Sequence, residues 1–391
     1  MAPVTSLLAL GLLTVDSLAH PGHSVAEEAA ERGEFFRVHK PRSIRSCAND
    51  LKRRGHLEKS LARRQEFAKH ARAKRSLSND KPLVRRDFAE YNISHASTSG
   101  VKFGDDETLL FTDNSSCILQ PEVTQGPYYI DGELIRSDMS EDQEGVPLFL
   151  DIQFIDTANC EPVPAVYVDA WHCNATGVYS GVAASGNGNS DDITNLDNTF
   201  LRGLQQTDVN GVVQFESIVP GHYTGRAPHI HVLTHNVNST NIRSNGTLLE
   251  GYGNFSTHAS HVGQIFLDQD LITEVGTVEP YLSNTQDLTL NSDDSILGEE
   301  AADMDPFVQY VLIGDSIEDG ILAWISLGID TSSDQEISSA GTHYKEGGVA
   351  NENGGMGGGA PGGGSGGPGG NGTAPSGAPS GAAPSGTSAP A

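Results

Sequence analysis

The sequence predicts an all-β fold, with an antiparallel β-sandwich core and long loops over residues 116–335. Three observations predict it. From Cys117 to Asp330, short runs rich in Val, Ile, Leu, Phe and Tyr recur, separated by Gly, Pro, Asn and Asp. In PLFLDIQFID (147–156), Leu148, Leu150, Ile152 and Phe154 alternate with other residues, the period that puts one set on one face of a strand. No sustained helical period and no internal repeat appear after residue 116.

Taken in order, the chain opens with MAPVTSLLALGLLTVDSLAH. An apolar run from Leu7 to Val15 followed by Ser17-Leu18-Ala19 has the form of a secretory signal peptide over 1–19, and it is too short to span a bilayer. No later stretch approaches the ~18 apolar residues of a spanning helix. Residues 20–86 are basic. Within them LKRRGHLEKSLARRQEFAKHARAKR is rich in helix formers, and dibasic pairs stand at Lys74-Arg75 and Arg85-Arg86. That combination predicts a helical pro-segment cut by a dibasic-processing protease, with Cys47 inside it available to tether it to the body. A polar linker is expected over 87–115.

The expected strands are PLFLDIQFID (147–156), AVYVDAW (165–171), GVVQFESI (211–218), HIHVLTH (229–235), VGQIFLD (262–268), FVQYVLIGD (307–315) and GILAWISLGID (320–330). Residues 236–258 carry three N-x-S/T sequons and little apolar content, which predicts a glycosylated surface insertion. Residues 346–391 are Gly, Ser, Pro and Ala-rich; such a tail cannot build a core and is expected to be disordered, compatible with a cell-wall stalk.

Charge and cysteines narrow the class. The formal net charge is −27, yet only 6 of the 24 Lys and Arg, against 42 of the 51 Asp and Glu, lie after residue 86. A body that acidic repels nucleic acid and anionic membrane. Seven sequons (Asn92, Asn114, Asn174, Asn238, Asn245, Asn254, Asn371) agree with an extracellular protein. Four cysteines (Cys47, Cys117, Cys160, Cys173) in such a protein suggest two disulfides, with three connectivities open.

The chemistry concentrates in PGHYTGRAPHIHV (220–232). On a strand, His229 and His231 leave the same face and can reach one metal ion. A His-x-His pair alone is ordinary structure more often than a ligand pair. Here Tyr223, after a Pro-Gly turn, can bring a phenol into the same space, and Arg226 is one of the few cations of the body. A second tyrosine, Tyr179, follows a turn in WHCNATGVYS (171–180). Two tyrosinates with two histidines make a hard anionic donor set, suited to Fe(III) rather than Zn(II) or Cu(I). His172 is assigned to local structure, and His235, His258 and His261 to surface or loops. A cupin-type site is disfavoured because HIHVLTHN lacks a following Glu.

Together these stretches resemble the intradiol ring-cleavage dioxygenases, in particular a secreted, catechol dioxygenase-like fungal branch. VDAWHCNATGVYS places an acidic residue in a strand before Gly-x-Tyr. PGHYTGRAPHIHV places a Pro-Gly-x-Tyr turn before Arg-x-x-His-x-His. TQGPYY (124–129) is similar to the family's Gly-Pro-aromatic entry. The resemblance covers roughly 117–330. It implies Tyr179, Tyr223, His229 and His231 as ligands of Fe(III), Arg226 as the residue that stabilises developing anionic charge, and Gln264 as an active-site glutamine. It implies a catecholic substrate that displaces Tyr223, O2 as co-substrate, and cis,cis-muconate-type diacids as products, with no organic cofactor. The interval from Tyr223 to His229 is shorter than is usual in the family, and the helical dimerisation region of the bacterial enzymes is not matched. The competing expectation is a secreted β-sandwich module that binds aromatics or cell wall without turnover. Oligomeric state stays open.

Overall fold

The computed structural model describes residues 44–79, 117–119, 128–184, 187–189, 192–235, 240–242, 248–250, 256–303, 305–332 and 335–351. The expected signal peptide, the 87–115 linker, Arg85-Arg86, most of the 236–258 insertion and the tail beyond residue 351 lie outside the described residues. Among those described, no helix is long and apolar enough to cross a membrane.

In chain order the elements are α1 (Ala48–Arg53), α2 (His56–Lys74), β1 (Cys117–Leu119), β2 (Ile130–Asp131), β3 (Pro147–Asp156), β4 (Tyr167–Trp171), β5 (Arg202–Gln206), β6 (Val212–Ile218), β7 (His229–His235), β8 (Thr240–Ile242), β9 (Leu248–Glu250), β10 (Ser256–Phe266), α3 (Gln269–Val275), α4 (Ser295–Asp303), β11 (Gln309–Leu312), β12 (Ile321–Ile329), β13 (Gln335–Ser338), β14 (Gly341–Tyr344) and β15 (Gly347–Ala350). Of the four sheets among the described residues, the two large ones run β1-β12-β3-β6, with β11 also paired to β12, and β13-β10-β7-β4-β5; the small ones are β15-β14-β2 and β8-β9. The first sheet is mixed rather than wholly antiparallel, because β12 runs parallel to both β1 and β3. Strand direction between partners so far apart in sequence is set by chain path, which local alternation does not encode.

The two sheets bury one core between them. Leu148, Leu150, Ile152 and Phe154 of β3 meet Val168 and Ala170 of β4, Val213 and Phe215 of β6, Ile230 and Val232 of β7, and Ala323, Ile325 and Leu327 of β12. The predicted alternation in β3 is therefore the core face. Its other side chains, Phe149, Asp151 and Gln153, turn outward and are covered by α2.

Helix α2 begins after Gly55 and buries Ser60, Arg64, Phe67, Ala68, Ala71 and Arg72, the i, i+4, i+7 spacing of one face. Phe67, Ala68 and Ala71 pack on Phe149, Val311, Leu322 and Trp324. Arg63 holds Asp151 with two 2.8 Å bonds, from Nε and Nη2. Arg64 lies 5.2 Å over the Trp324 ring. Burial alone would raise the Asp151 pKa, but the guanidinium of Arg63, then that of Arg64, overrides it and holds the carboxyl at about 2. A disulfide joins Cys47 to Cys160 across 113 residues. The expected tether of the basic segment to the body is therefore present. Lys74 and Arg75 are themselves bound to the body, at Asp138 and Glu216 and at the carbonyls of Glu318 and Asp319.

Several expectations need correction. Two disulfides do not form within the chain, because Cys173 is a buried thiol outside any disulfide. It packs as a small apolar residue with its Sγ 3.4 Å from the Gly221 carbonyl oxygen. His235 and His261 are buried, not surface residues. Among the described residues, the two α-helices after residue 116, α3 and α4, are short, in keeping with the lack of a sustained helical period there. Glycines 347 and 348 belong to β15, which pairs antiparallel with β14; a ladder needs only backbone groups, so the Gly-rich composition does not forbid it.

Candidate metal centre and active site

The outward face of the second sheet carries the chemistry. In β7, Ile230 and Val232 point into the core, so His229, His231, Leu233 and His235 share the opposite face. His231 stands across from Gln264 of β10 on one side and Trp171 of β4 on the other. The Trp171 indole stacks on the His231 imidazole, centroids 4.7 Å apart and planes within 4°. This contact fixes the ring plane, so the histidine cannot rotate away from the cluster.

Two turns bring the tyrosines onto this face, and two glycines let the turns touch. Gly177 has φ +80, and a Cβ there would lie 2.3 Å from the His222 carbonyl oxygen. A Cβ on Gly221 would lie 2.3 Å from the Ala175 carbonyl oxygen. Only residues without a Cβ allow the backbones to meet at that distance. Asn174 shapes the first turn: its Oδ1 accepts from the backbone N–H of Thr176 and of Val178, and its Nδ2 donates to Gln143. The Tyr179 peptide is clamped by its N–H to Asn187 Oδ1 at 2.7 Å and by Asn195 Nδ2 to its carbonyl at 2.7 Å. Its ring stacks on Tyr128 at 4.7 Å, and Arg202 ties the Tyr128 and Ser180 carbonyls together. Tyr128 belongs to the TQGPYY stretch, whose first four residues lie outside the described residues.

The result is a convergence of four donors. His229 Nε2 lies 3.1 Å from His231 Nε2, 3.4 Å from the Tyr179 hydroxyl and 3.5 Å from the Tyr223 hydroxyl. All four residues are at most 2% exposed. His229 Nδ1 is 2.6 Å from the Ala227 carbonyl. Protonation at Nδ1 leaves the Nε2 lone pair directed into the cluster, the tautomer a metal ligand needs.

Burial pushes both phenols well above the ordinary tyrosine range. At Tyr179 the neighbouring Tyr223 adds to the effect; at Tyr223 the charge of Arg226 opposes it. Two buried phenols and two imidazoles with converging donor atoms fit a hard, highly charged cation, which would favour the phenolate forms. Among the described residues, no group of three or more His, Cys, Asp or Glu can hold a metal ion, so the tyrosines are indispensable to this donor set.

Arg226 and Gln264 are drawn into the same place. Arg226 is fully buried, and its Nη2 donates to Gln264 Oε1 at 2.5 Å. Its Nε donates to Asp294 Oδ2 at 2.9 Å. Every residue singled out in the sequence for this site is thus brought together. His172 is apart from it: its Nε2 meets the Ser217 hydroxyl at 2.8 Å and its Nδ1 meets the Cys173 carbonyl, and burial lowers its pKa to about 4.

Sequence reasoning missed Trp171, Asn187, Asn195 and Asp294. Only Asp294 left a signal, since an Asp just before SILGEEAA is an N-cap pattern.

Comparison with known proteins bears on the same interval. The sequence model of the family described as Dioxygenase matches residues 121–245, which hold all four donors and Arg226. A curated relative, catechol 1,2-dioxygenase of Pseudomonas sp. (strain EST1001), is 37% identical over 65 residues. The stretch that carries the donor cluster thus resembles a dioxygenase.

The match to the Pseudomonas relative covers 15% of this chain and 21% of that protein, so the chain aligns with about a fifth of its length. Among solved structures, an intradiol ring-cleavage dioxygenase from Tetranychus urticae is 29% identical, with 55% of this chain and 96% of that chain covered and a TM-score of 0.43. Catechol 1,2-dioxygenase from Acinetobacter sp. ADP1 is 18% identical, covering 56% of this chain and 63% of that chain, with a TM-score of 0.33. In this chain the donors come from one strand and two loops, and the strand supplies both nitrogens.

Proposed function

We propose that this protein is an exported Fe(III) dioxygenase that opens catechol-type aromatics between their two hydroxyl groups with O2, giving cis,cis-muconate-type diacids. The observation that carries the proposal is the buried convergence of Tyr179, Tyr223, His229 and His231 within the dioxygenase-matched interval. These four residues would hold the ion. When bound, Fe(III) supplies a Lewis-acidic centre for the catechol oxygens and the redox chemistry that a ring and O2 need to react.

The chain's own groups do the rest. Tyr223 would be the ligand that an incoming catechol displaces, its Oη taking the proton of a catechol hydroxyl. Arg226 holds positive charge at the site, oriented at Nε by Asp294 and at Nη2 by Gln264, and stabilises anionic charge that develops on the substrate. Burial of the cluster excludes water, which strengthens these interactions. The bond between the two hydroxyl-bearing carbons breaks, and both oxygen atoms of O2 end in the diacid.

An oxygen electrode with catechol, hydroxyquinol and protocatechuate tests the reading. Uptake with a muconate-type product is expected. Iron binding without uptake on any catechol would replace it with a binding module on the same scaffold. The 1–19 leader and the sequons support export; the expressed full chain should appear in the culture medium without residues 1–19.

A further inference from the structure

Arg226 and the residues around it share one feature that lies outside both motif stretches. Asp294 is 68 residues beyond Arg226 in sequence, yet its carboxylate is buried against it. Oδ2 accepts from Arg226 Nε at 2.9 Å and from the backbone N–H of Ala227 at 2.9 Å. Oδ1 accepts from the N–H groups of Ile296 and Leu297, at 2.9 and 3.1 Å, in the first turn of α4.

These contacts reach two parts of the site. Through Nε the carboxylate sets the plane of the Arg226 guanidinium, whose Nη2 is then aimed at Gln264. Through the Ala227 N–H it fixes the residue whose carbonyl accepts from His229 Nδ1 and so selects the tautomer of that histidine. A carboxylate beside a catalytic guanidinium would ordinarily cancel its field. Here the negative charge is shared by three backbone N–H groups and the positive end of a helix, so Arg226 keeps net positive character toward the substrate.

We propose that Asp294 is a positioning residue for ring cleavage: one buried carboxylate that orients the Arg226 guanidinium and the Ala227 carbonyl behind His229. The proposal rests on the dioxygenase reading above and deepens it.

The test uses the full-length iron-loaded protein and the variants Asp294→Asn, Asp294→Ser, Arg226→Gln and Asp294→Asn/Arg226→Gln. Asn and Ser both keep an oxygen for the first turn of α4. Asn cannot accept from both Arg226 and Ala227 while doing so, and Ser is too short to reach Arg226. Both single variants at 294 should keep wild-type iron content; each should melt below wild type because a buried guanidinium loses its carboxylate, so kcat is taken per folded, iron-loaded molecule well below the transition. Each should lower kcat by about 10–100-fold with a smaller change in KM, the range seen when a residue behind a ligand is lost.

Binding of 4-nitrocatechol, read from its visible band, closes the cycle. Asp294→Asn should weaken it at least fivefold in the wild-type background and less than about twofold beside Arg226→Gln, because the residue acts through the arginine. Wild-type kcat in both variants overturns the proposal, as does equal weakening in both backgrounds or a loss of activity that tracks loss of iron. If wild type itself takes up no oxygen with any catechol, the dioxygenase reading fails first and the positioning role falls with it; an active wild type with unaffected variants overturns the role of Asp294 alone.

Discussion

Each sheet of the sandwich has an outer face that must be covered, and the two faces are covered in different ways. On the first sheet α2 lies flat across Phe149, Asp151 and Gln153, and the polar groups of β3 on that face meet partners from the helix: Arg63 and Arg64 at Asp151, Ser60 and His56 at Gln153. On the second sheet two loops deliver Tyr179 and Tyr223 over His229 and His231, and their donor atoms point at one another. On the first face Asp151 and Gln153 find their partners within the chain. The second gathers donors that share a proton network in the folded protein and reach their full complement with a cation. A buried Arg–Asp pair occurs on both faces. At Asp151 it ties a helix to the sheet, and at Asp294 it aims a guanidinium at the site.

That contrast can be broken from either side. The largest effect should come from the second face. His229→Ala or Tyr179→Phe should abolish iron retention and lower oxygen uptake by at least ~1,000-fold while the protein stays folded, since these residues hold the ion rather than the core; metal analysis beside circular dichroism checks it. Asp151→Ala should do the reverse. Removing the carboxylate strands two buried guanidinium groups and should cost roughly 3–5 kcal/mol in denaturant unfolding, with kcat per folded molecule unchanged.

Cys47→Ser should cost a further ~2–4 kcal/mol by releasing the unfolded chain. The same bond makes a prediction about processing. After cutting between α2 and the sandwich, the basic segment should migrate with the body on a non-reducing gel and separate from it on a reducing one.

The smallest effect is one of pH. Asp151 has its folded pKa depressed to about 2 from 3.8. Its stabilisation is therefore fully present above about pH 4 and is lost as pH falls toward 2, on the order of 2 kcal/mol. Unfolding of wild type and Asp151→Asn measured from pH 5 to 2 should converge at the acid end. A constant difference across that window would mean that Asp151 contributes no charge-dependent stabilisation.

Much of the sandwich was legible because its strands are strongly patterned. PLFLDIQFID and HIHVLTH mark β3 and β7 with their observed ends, since alternation and flanking turn residues coincide there. β10 begins earlier than VGQIFLD suggests, because its first residues, Ser256 to Ala259, have little apolar content and pair in a ladder with β13. Helices α3 and α4, of 7 and 9 residues, are too short to build a period.

The site was legible wherever its residues lie within a few positions of each other. The period-2 rule that places His229 and His231 on one face also places His235 there, buried beside them rather than at the surface. What could not be read were partners fixed by topology: the parallel β3–β12 pairing, the Cys47–Cys160 choice among three, and Asp294 behind Arg226.

The central claim is that two phenols and two imidazoles make one ferric centre. The most direct test is metal analysis with a visible spectrum of protein purified from an iron-replete preparation. Iron stoichiometric with protein and a red-brown absorption band that changes in Tyr179→Phe and in Tyr223→Phe are expected. A folded, colourless, iron-free protein, or a band unchanged by both substitutions, would contradict it.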